Sequence, residues 1–543
     1  MHLSLFICLL FGEANAATLD FIRPRDDSAS WRLYVLGLIG VCSLAWGIYR
    51  MWIYPFFISP LRHLPEPKGA HPFIGHMVAR LSQPPGEQQA RWVKEVPNDG
   101  LIRVRGFLNS EALCITTPQA IAEVLVTKNY DFIKPQRAAQ FLARILGDGL
   151  VVVEGDVHKF QRKHIQPSFS FRHIKELYPI FWQKSVEVAD RIKTDLINGR
   201  SSGILGVSDL AFWAPKVTLD IIGAAAMGHD FHTINDNDEE LVHLYERILT
   251  PSRELQLFFV LNLIGLKWLL RFMPWVDTDS WLTQQTDKLR TLCRQFVAEK
   301  KRSMKVDGEG SADLLSKLIE SNNFSDEELA DQLLTFLAAG HETTSSTLEW
   351  AAYLLARHPE IQTQLREEIR ANIPRDFVID TQAFDLAGTL ESMPILNGVC
   401  NETFRLYSTV PQTLRVAVRP TTILGYPLKK GTMIILSPHG INRSPQLWGP
   451  DAEEFKPSRW IDKGTGKPNN SGGAQSNYSM MTFLHGPRSC IGQGFAKAEL
   501  RALLAVLTGT FNMELKDPNY RPLRAGAVTT KPSEGMPLKL TTI

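Results

Sequence analysis

The stretch that most constrains this chain lies near its C-terminus: Phe483-Leu484-His485-Gly486-Pro487-Arg488-Ser489-Cys490-Ile491-Gly492. One cysteine sits in a tight loop between glycines, with an arginine two residues before it. Ala496 to Val506 then reads as helix, with strong helix formers and helical periodicity. Cys490 therefore stands just ahead of a helix N-terminus, where unpaired N–H groups and the helix dipole favour an anion, here a thiolate. Gly486 and Gly492 let the backbone turn closely around the sulfur and approach a ligand. Arg488 can neutralise an acidic group on that ligand. A lone thiolate with no second Cys or His nearby suits an iron that brings four ligands of its own, which is haem iron.

Bulk composition fits that reading. The chain has 543 residues, 44% hydrophobic and 21% charged, enough for a large core and unlike a disordered polymer. A net charge of +2 gives no reason to expect nucleic acid as a partner. Six cysteines without paired spacing argue against a disulfide framework or a zinc cluster and for a reducing compartment. Cys8, Cys42, Cys114, Cys293 and Cys400 read as small buried hydrophobes.

The motif Phe483-x-x-Gly486-x-Arg488-x-Cys490-x-Gly492 resembles the haem-binding loop of the cytochrome P-450 superfamily at every fixed position. The resemblance covers nearly the whole chain after about residue 55. It implies one mainly α domain with a small β region, holding haem b between a long central helix and the Cys490 loop. Cys490 would be the axial iron ligand, with Phe483 and Arg488 also at the cofactor.

Two apolar blocks open the chain. Leu3 to Phe11 is short and is followed by Ala14-Asn15-Ala16, like a cleavage site, but no Lys or Arg precedes it. Leu33 to Tyr49 is uncharged and continues past Arg50 through Tyr54. It reads as a membrane-spanning helix with Trp31, Trp52 and Tyr54 as interfacial anchors, the alternative being a buried core helix. Pro55, Pro60, Pro65, Pro67 and Pro72 predict a stiff, non-helical linker, similar to the hinge of microsomal family members. The domain reading is a signal-like or lumenal segment over 1–30, an anchor over 31–54, a hinge over 55–75 and the haem-thiolate domain over 76–543. The resemblance implies a single-pass protein of the endoplasmic reticulum with its catalytic domain in the cytosol.

Other motifs follow in the family's order. Ser325-Asp326-Glu327-Glu328 is a capping box that opens a long helix, with Ala339-Gly340-His341-Glu342-Thr343-Thr344 in its middle. Small residues there let something press on the helix, and a buried acid beside a hydroxyl is expensive unless it is used. The hexamer resembles the family's oxygen-activating stretch, which makes Thr343 and Glu342 a proton-delivery pair. The alternative is a threonine bonded back to its own helix. His158 and Arg162, one helical turn apart, are similar to the family pair that holds a haem propionate, with His where Trp is common; the alternative is a solvated basic face. Arg415 matches a further propionate arginine. His439 either touches haem or supports the fold. Glu402 and Arg405, three apart on one helix, would join Arg459 in a buried structural triad.

Leu101–Gly106, Ala112–Thr116, Leu414–Val418 and Thr432–Leu436 read as strands. Gly464 to Tyr478, rich in Gly, Asn and Ser, reads as a flexible surface insertion. Leu255 to Trp275 is apolar and aromatic, either a pocket-lining segment that dips into the bilayer or an ordinary core helix. Phe132–Leu150, Leu255–Leu270, Phe336–Thr344, Thr409–Leu414 and Ala527–Thr530 are the expected pocket segments.

The resemblance implies a monooxygenase acting on a lipophilic small molecule, similar to fungal members that tailor secondary metabolites. No Gly-x-Gly-x-x-Gly fingerprint is present, so NADPH electrons would arrive through a separate cytochrome reductase, with cytochrome b5 as a second donor. An oxygen-independent haem-thiolate isomerase or dehydratase and a non-enzymatic haem sensor or electron carrier are the rival readings. The Glu342-Thr343 pair argues against both.

Overall fold

Asp326–Arg357 is the helix on which the rest is built. Its capping box forms: Glu328 N–H donates to Ser325 Oγ at 3.3 Å, and Ser325 N–H donates to Glu328 Oε2 at 2.8 Å. Leu329, Leu333, Leu337, Leu348 and Leu355 are buried, so the helix runs through the main core. It packs against Leu210–Ile222 on one side and Gln493–Thr510 on the other. Gln493–Thr510 in turn lies along Phe171–Asn198, where Phe181 and Phe495 meet edge to face at 4.8 Å. The structure, a computed structural model, describes residues 28–76, 83–236, 278–307, 312–380, 383–526 and 528–543, with scattered positions between 240 and 262. The first apolar block, Ala527 and most of Leu255–Trp275 lie outside the described residues.

The β region is small and mixed. Leu101–Arg105 pairs antiparallel with Glu111–Ile115, which pairs parallel with Met433–Leu436. Thr413–Ala417 and then Phe132–Ile133 complete the five strands. Parallel pairing needs a long crossover, and here most of the helical domain lies between residues 115 and 433. The sheet places Arg415 opposite Ile434, one strand in from the edge. Val207–Asp209, Pro537–Thr542 and Phe511–Leu515 form a second sheet beneath the helices.

The apolar block Leu33–Ile58 is a 26-residue helical stretch, long and apolar enough to cross a membrane. Leu33, Leu36, Leu44 and Trp46 along it are exposed, unlike the mostly buried Leu210–Met227, which passes the same test of length and apolarity inside the globule. Cys42 is exposed on this helix, where the sequence predicts burial, while Cys114, Cys293 and Cys400 are buried. The proline-rich stretch is not the non-helical linker that its spacing predicts. Pro55 lies inside the helical turn Tyr49–Ile58, and Pro60–His63 is a short 3₁₀ turn. The turn has i→i+5 spacing and ends with Ser59 N–H on Tyr54 carbonyl at 2.8 Å; the Met51 carbonyl, which Pro55 has no N–H to meet, accepts from Asn109 Nδ2 at 3.0 Å instead.

Gly464–Tyr478 likewise departs from the flexible insertion that its composition predicts. Asn469 N–H donates to Trp460 carbonyl at 2.8 Å and Asn469 Nδ2 to Arg459 carbonyl at 3.0 Å. A Cβ on Gly472 would sit 2.9 Å from the Trp460 ring and 3.0 Å from Trp448. The insertion is folded against two tryptophans, which its polar composition conceals.

Candidate functional site

The Cys490 loop is shaped by its backbone. Cys490 N–H donates to Phe483 carbonyl at 2.8 Å, closing the loop, and the Phe483 ring packs on Phe404 at 5.0 Å. Gly486 has φ +73°, and a Cβ there would lie 2.1 Å from Leu125 carbonyl oxygen, so only glycine fits. At Gly492 a Cβ would meet nothing nearer than 3.9 Å, which leaves the approach to Cys490 Sγ open.

The sulfur is accessible although protein surrounds it. Burial pushes the thiol up, while the Gly492 N–H and the Arg162 guanidinium pull it down. The helix N-terminus thus supplies the donor expected of it, but desolvation is the larger effect until a cation lies on the sulfur.

On the central helix, Ala339 is exposed, and Ala338, Gly340, Glu342 and Thr343 are partly open. Gly340 has a different reason to be small: a Cβ would stand 2.6 Å from Ile222 Cδ1 of the neighbouring helix. Thr343 Oγ1 donates to Ala339 carbonyl at 2.7 Å, so the back-bonded alternative is the arrangement adopted and the hydroxyl keeps its acceptor lone pairs. Burial raises the Glu342 carboxyl, opposed by the Thr529 hydroxyl and Lys531. His341 faces away from the pair, with Nδ1 3.0 Å from Thr218 Oγ1, and burial lowers it to about 4.

The expected propionate residues gather around an acid that the sequence did not single out, Glu154. Arg488 Nε donates to Glu154 Oε2 at 2.9 Å and Nη1 to Asn129 carbonyl at 2.8 Å. Lys134 N–H and Nζ reach Glu154 Oε1 at 3.0 and 3.2 Å. Arg415 is 3% exposed and is lowered to about 10 by burial, with Glu154 and Arg488 as its charged neighbours. The buried His158 ring lies among Arg488, Lys134, Glu154 and Arg162, and burial with the Arg488 charge lowers it to about 4, so it is neutral at pH 7. Arg162 leaves this group to clamp the cysteine loop, with Nη1 2.6 Å from Ser489 carbonyl. Arg415, Arg488 and Lys134 against the one carboxylate Glu154 leave surplus positive charge, which suits a ligand with two carboxylates. His439 turns instead to Arg524, which donates to Glu87 Oε2 at 2.7 Å.

Glu402 is fully buried and accepts from Arg405 Nε and Nη2 at 2.8 and 2.7 Å, and from Arg459 Nε at 2.9 Å. Two further donors complete it: Trp460 Nε1 at 2.9 Å and Lys456 N–H at 3.0 Å. Arg405 also donates to three backbone carbonyls, those of Asn442, Ala452 and Glu454. Removing one member would strand the others at a cost of about 3–5 kcal/mol. Trp460 was legible only as an aromatic beside Arg459; its indole N–H role comes from the turn Pro457–Trp460. Glu499, buried beside Thr344 with its carboxyl pushed well up, reads in sequence as an ordinary helix former.

The donor set fits haem: one accessible thiol sulfur, a small-residue stretch of exposed helix, and cations in excess over carboxylate.

Comparison with known proteins points the same way. The family profile described as Cytochrome P-450 matches residues 65–538. The chain is 42% identical over 502 residues, 91% of each chain, to the cytochrome P-450 monooxygenase sphH of Aspergillus fumigatus. It is 37% identical over 500 residues to the cytochrome P-450 monooxygenase ptmK of Penicillium ochrochloron, covering 92% of this chain and 97% of that one. It is 38% identical over 539 residues, 97% of both chains, to the cytochrome P-450 monooxygenase abl5 of Leptosphaeria maculans.

Proposed function

The chain belongs to the cytochrome P-450 family and is an oxygen-incorporating oxidoreductase, and from that premise we propose that it oxidises a lipophilic small molecule in a fungal secondary-metabolite pathway. NADPH electrons reach it through a separate cytochrome reductase, with cytochrome b5 as a second donor. It works at the endoplasmic reticulum, anchored by Leu33–Ile58 with its catalytic domain in the cytosol. Bound haem supplies the oxygen-activating and hydrogen-abstracting chemistry.

The protein's own residues hold, orient and supply protons. Cys490 Sγ would ligate the haem iron, with Gly492 N–H and Arg162 stabilising negative charge on the sulfur. Arg488, Arg415 and Lys134 would hold the carboxylates of the cofactor, to which neutral His158 would offer one ring N–H. Glu342, raised by burial, holds a proton at its carboxyl, and the acceptor lone pairs of Thr343 Oγ1 orient the water that carries it. Glu402, Arg405 and Arg459 keep the loop that flanks the cofactor in place. The apolar segments Phe132–Leu150, Leu255–Leu270 and Thr409–Leu414 select substrate. Leu255–Leu270 enters this reading from sequence alone.

One observation carries the reading: an accessible cysteine sulfur enclosed by protein, beside a cationic cluster around one acid. The test is the carbon monoxide difference spectrum of the reduced protein, for wild type and Cys490→Ser. A strongly red-shifted Soret band in wild type, lost in the variant, is the expected result. Haem bound without that band would mean another axial ligand and would end the monooxygenase reading.

A further inference from the structure

The segment that joins the span to the globule is held in place rather than tethered. Arg103 Nη2 donates to Pro55 carbonyl at 2.6 Å, and Asn109 Nδ2 donates to Met51 carbonyl at 3.0 Å. Arg105 lies 4.7 Å over the Phe56 ring. The sheet edge thereby fixes the last turns of the membrane helix.

Between that segment, the Phe107–Glu111 turn and the Pro427–Thr432 turn lies a cleft of about 560 Å³. Three cations line it: Arg50, Lys429 and Lys430, all exposed. Lys429 Nζ lies 4.2 Å and Arg50 Cζ 6.0 Å from the ring of Tyr54, so two of them converge on one aromatic ring. Among the described residues none of the three has a carboxylate within ion-pair distance. The neighbouring arginines differ: Arg103 pairs with Glu66 and Glu111, and Arg105 with Glu66. Glu111, the acid in the cleft wall, accepts from Ser59 Oγ at 2.8 Å as well as from Arg103.

We propose that this cleft binds the phosphate headgroup of an anionic membrane lipid. Unpaired cations around a cleft call for an anion. Its source follows from position. Trp46 and Arg50 in the cleft wall belong to the 26-residue apolar stretch, so the cleft opens at the level where that stretch leaves hydrocarbon for headgroups. Exposed Leu44 and Val41 on the same helix offer an apolar surface to an acyl chain. A lipid seated there would bridge the membrane helix and the sheet, setting how the catalytic domain leans on the bilayer. The inference rests on the membrane reading of Leu33–Ile58 and not on the chemistry of the haem site.

The experiment uses full-length holoprotein in nanodiscs of phosphatidylcholine and phosphatidylserine in equal amounts, with native mass spectrometry of the lipids retained on release. Phosphatidylserine should be enriched. Lys429→Gln/Lys430→Gln should cut the enrichment roughly 25-fold, at about fivefold per cation. The equal-charge control Lys463→Gln/Lys467→Gln, both on the exposed surface, should leave it unchanged. The carbon monoxide spectrum checks that each variant keeps its fold. No enrichment in wild type, or equal loss in both variant pairs, would overturn the proposal. Displacement of the lipid by inorganic phosphate at equal concentration would overturn the lipid assignment in favour of a free-phosphate site. Failure of the haem reading would instead show in the spectrum and leave lipid retention untouched.

Discussion

Glu349 is 1% exposed on the central helix, and burial pushes its carboxyl up to about 8 from an ordinary 4.5, against the pull of Lys531. The folded chain therefore holds a proton that the unfolded chain releases. The stability it contributes is complete below about pH 4.5, is lost as pH rises to about 8, and is flat beyond. Glu349→Gln should remove most of that slope, on the order of a few kcal/mol. Thermal melts from pH 5 to 9 measure it, and an unchanged slope would refute the assignment. Thr343 makes a different prediction. Its donor is bonded to Ala339, which leaves its acceptor lone pairs free for the proposed proton path. Thr343→Ala should lower product formation roughly 10²-fold while NADPH and oxygen uptake fall less, the excess appearing as peroxide. Stoichiometry of NADPH, oxygen and product decides it. The buried pairing of Glu402 with Arg405 and Arg459 could be read from the chain because each partner sits in a short pattern of fixed spacing. Glu154, Glu349 and Glu499 could not, because an acid among helix formers looks solvated until the packing around it is known.

At the scale of elements, the central helix depends on what it touches. Gly340 stands against Ile222, and Gly340→Ala would force a Cβ into the 2.6 Å gap to its Cδ1. Overpacking of this kind costs about 1–3 kcal/mol, so the melting midpoint should fall while the carbon monoxide band keeps its position. A shifted or absent band would mean that the residue also bounds the cofactor. The capping box and the strands over Leu101–Arg105 and Met433–Leu436 were legible from local chemistry. Pro55 sits in a helical turn that local rules exclude, because the carbonyl its missing N–H leaves open, that of Met51, is met by Asn109 from another element. Gly464–Tyr478 was misread because Asn469 and Gly472 are anchored by Trp460 and Trp448, partners that no local pattern announces.

For the whole molecule, the anchor and the globule should separate in two steps. Removing residues 1–48 should move the protein from the membrane pellet to the supernatant and leave the carbon monoxide spectrum intact. Removing 1–58 should also lower the melting midpoint by a few degrees, since Arg103 and Asn109 lose their carbonyl partners. Equal midpoints for the two truncations would show that the docked turns carry no stability. The division between chain and fold runs along distance. A loop of ten residues around Cys490, an acid and an arginine one turn apart, and a 26-residue apolar stretch carry their meaning in neighbours along the backbone, so the family, the buried Glu402–Arg405 pair and a helix long and apolar enough to cross a membrane were set there. The placing of Glu154 between Lys134 and Arg488, of Trp460 on Glu402, and of Lys429 over Tyr54 joins residues 20 to more than 300 positions apart. Such pairings exist only after the helices and the mixed sheet have packed, because nothing in either partner's local sequence specifies the other.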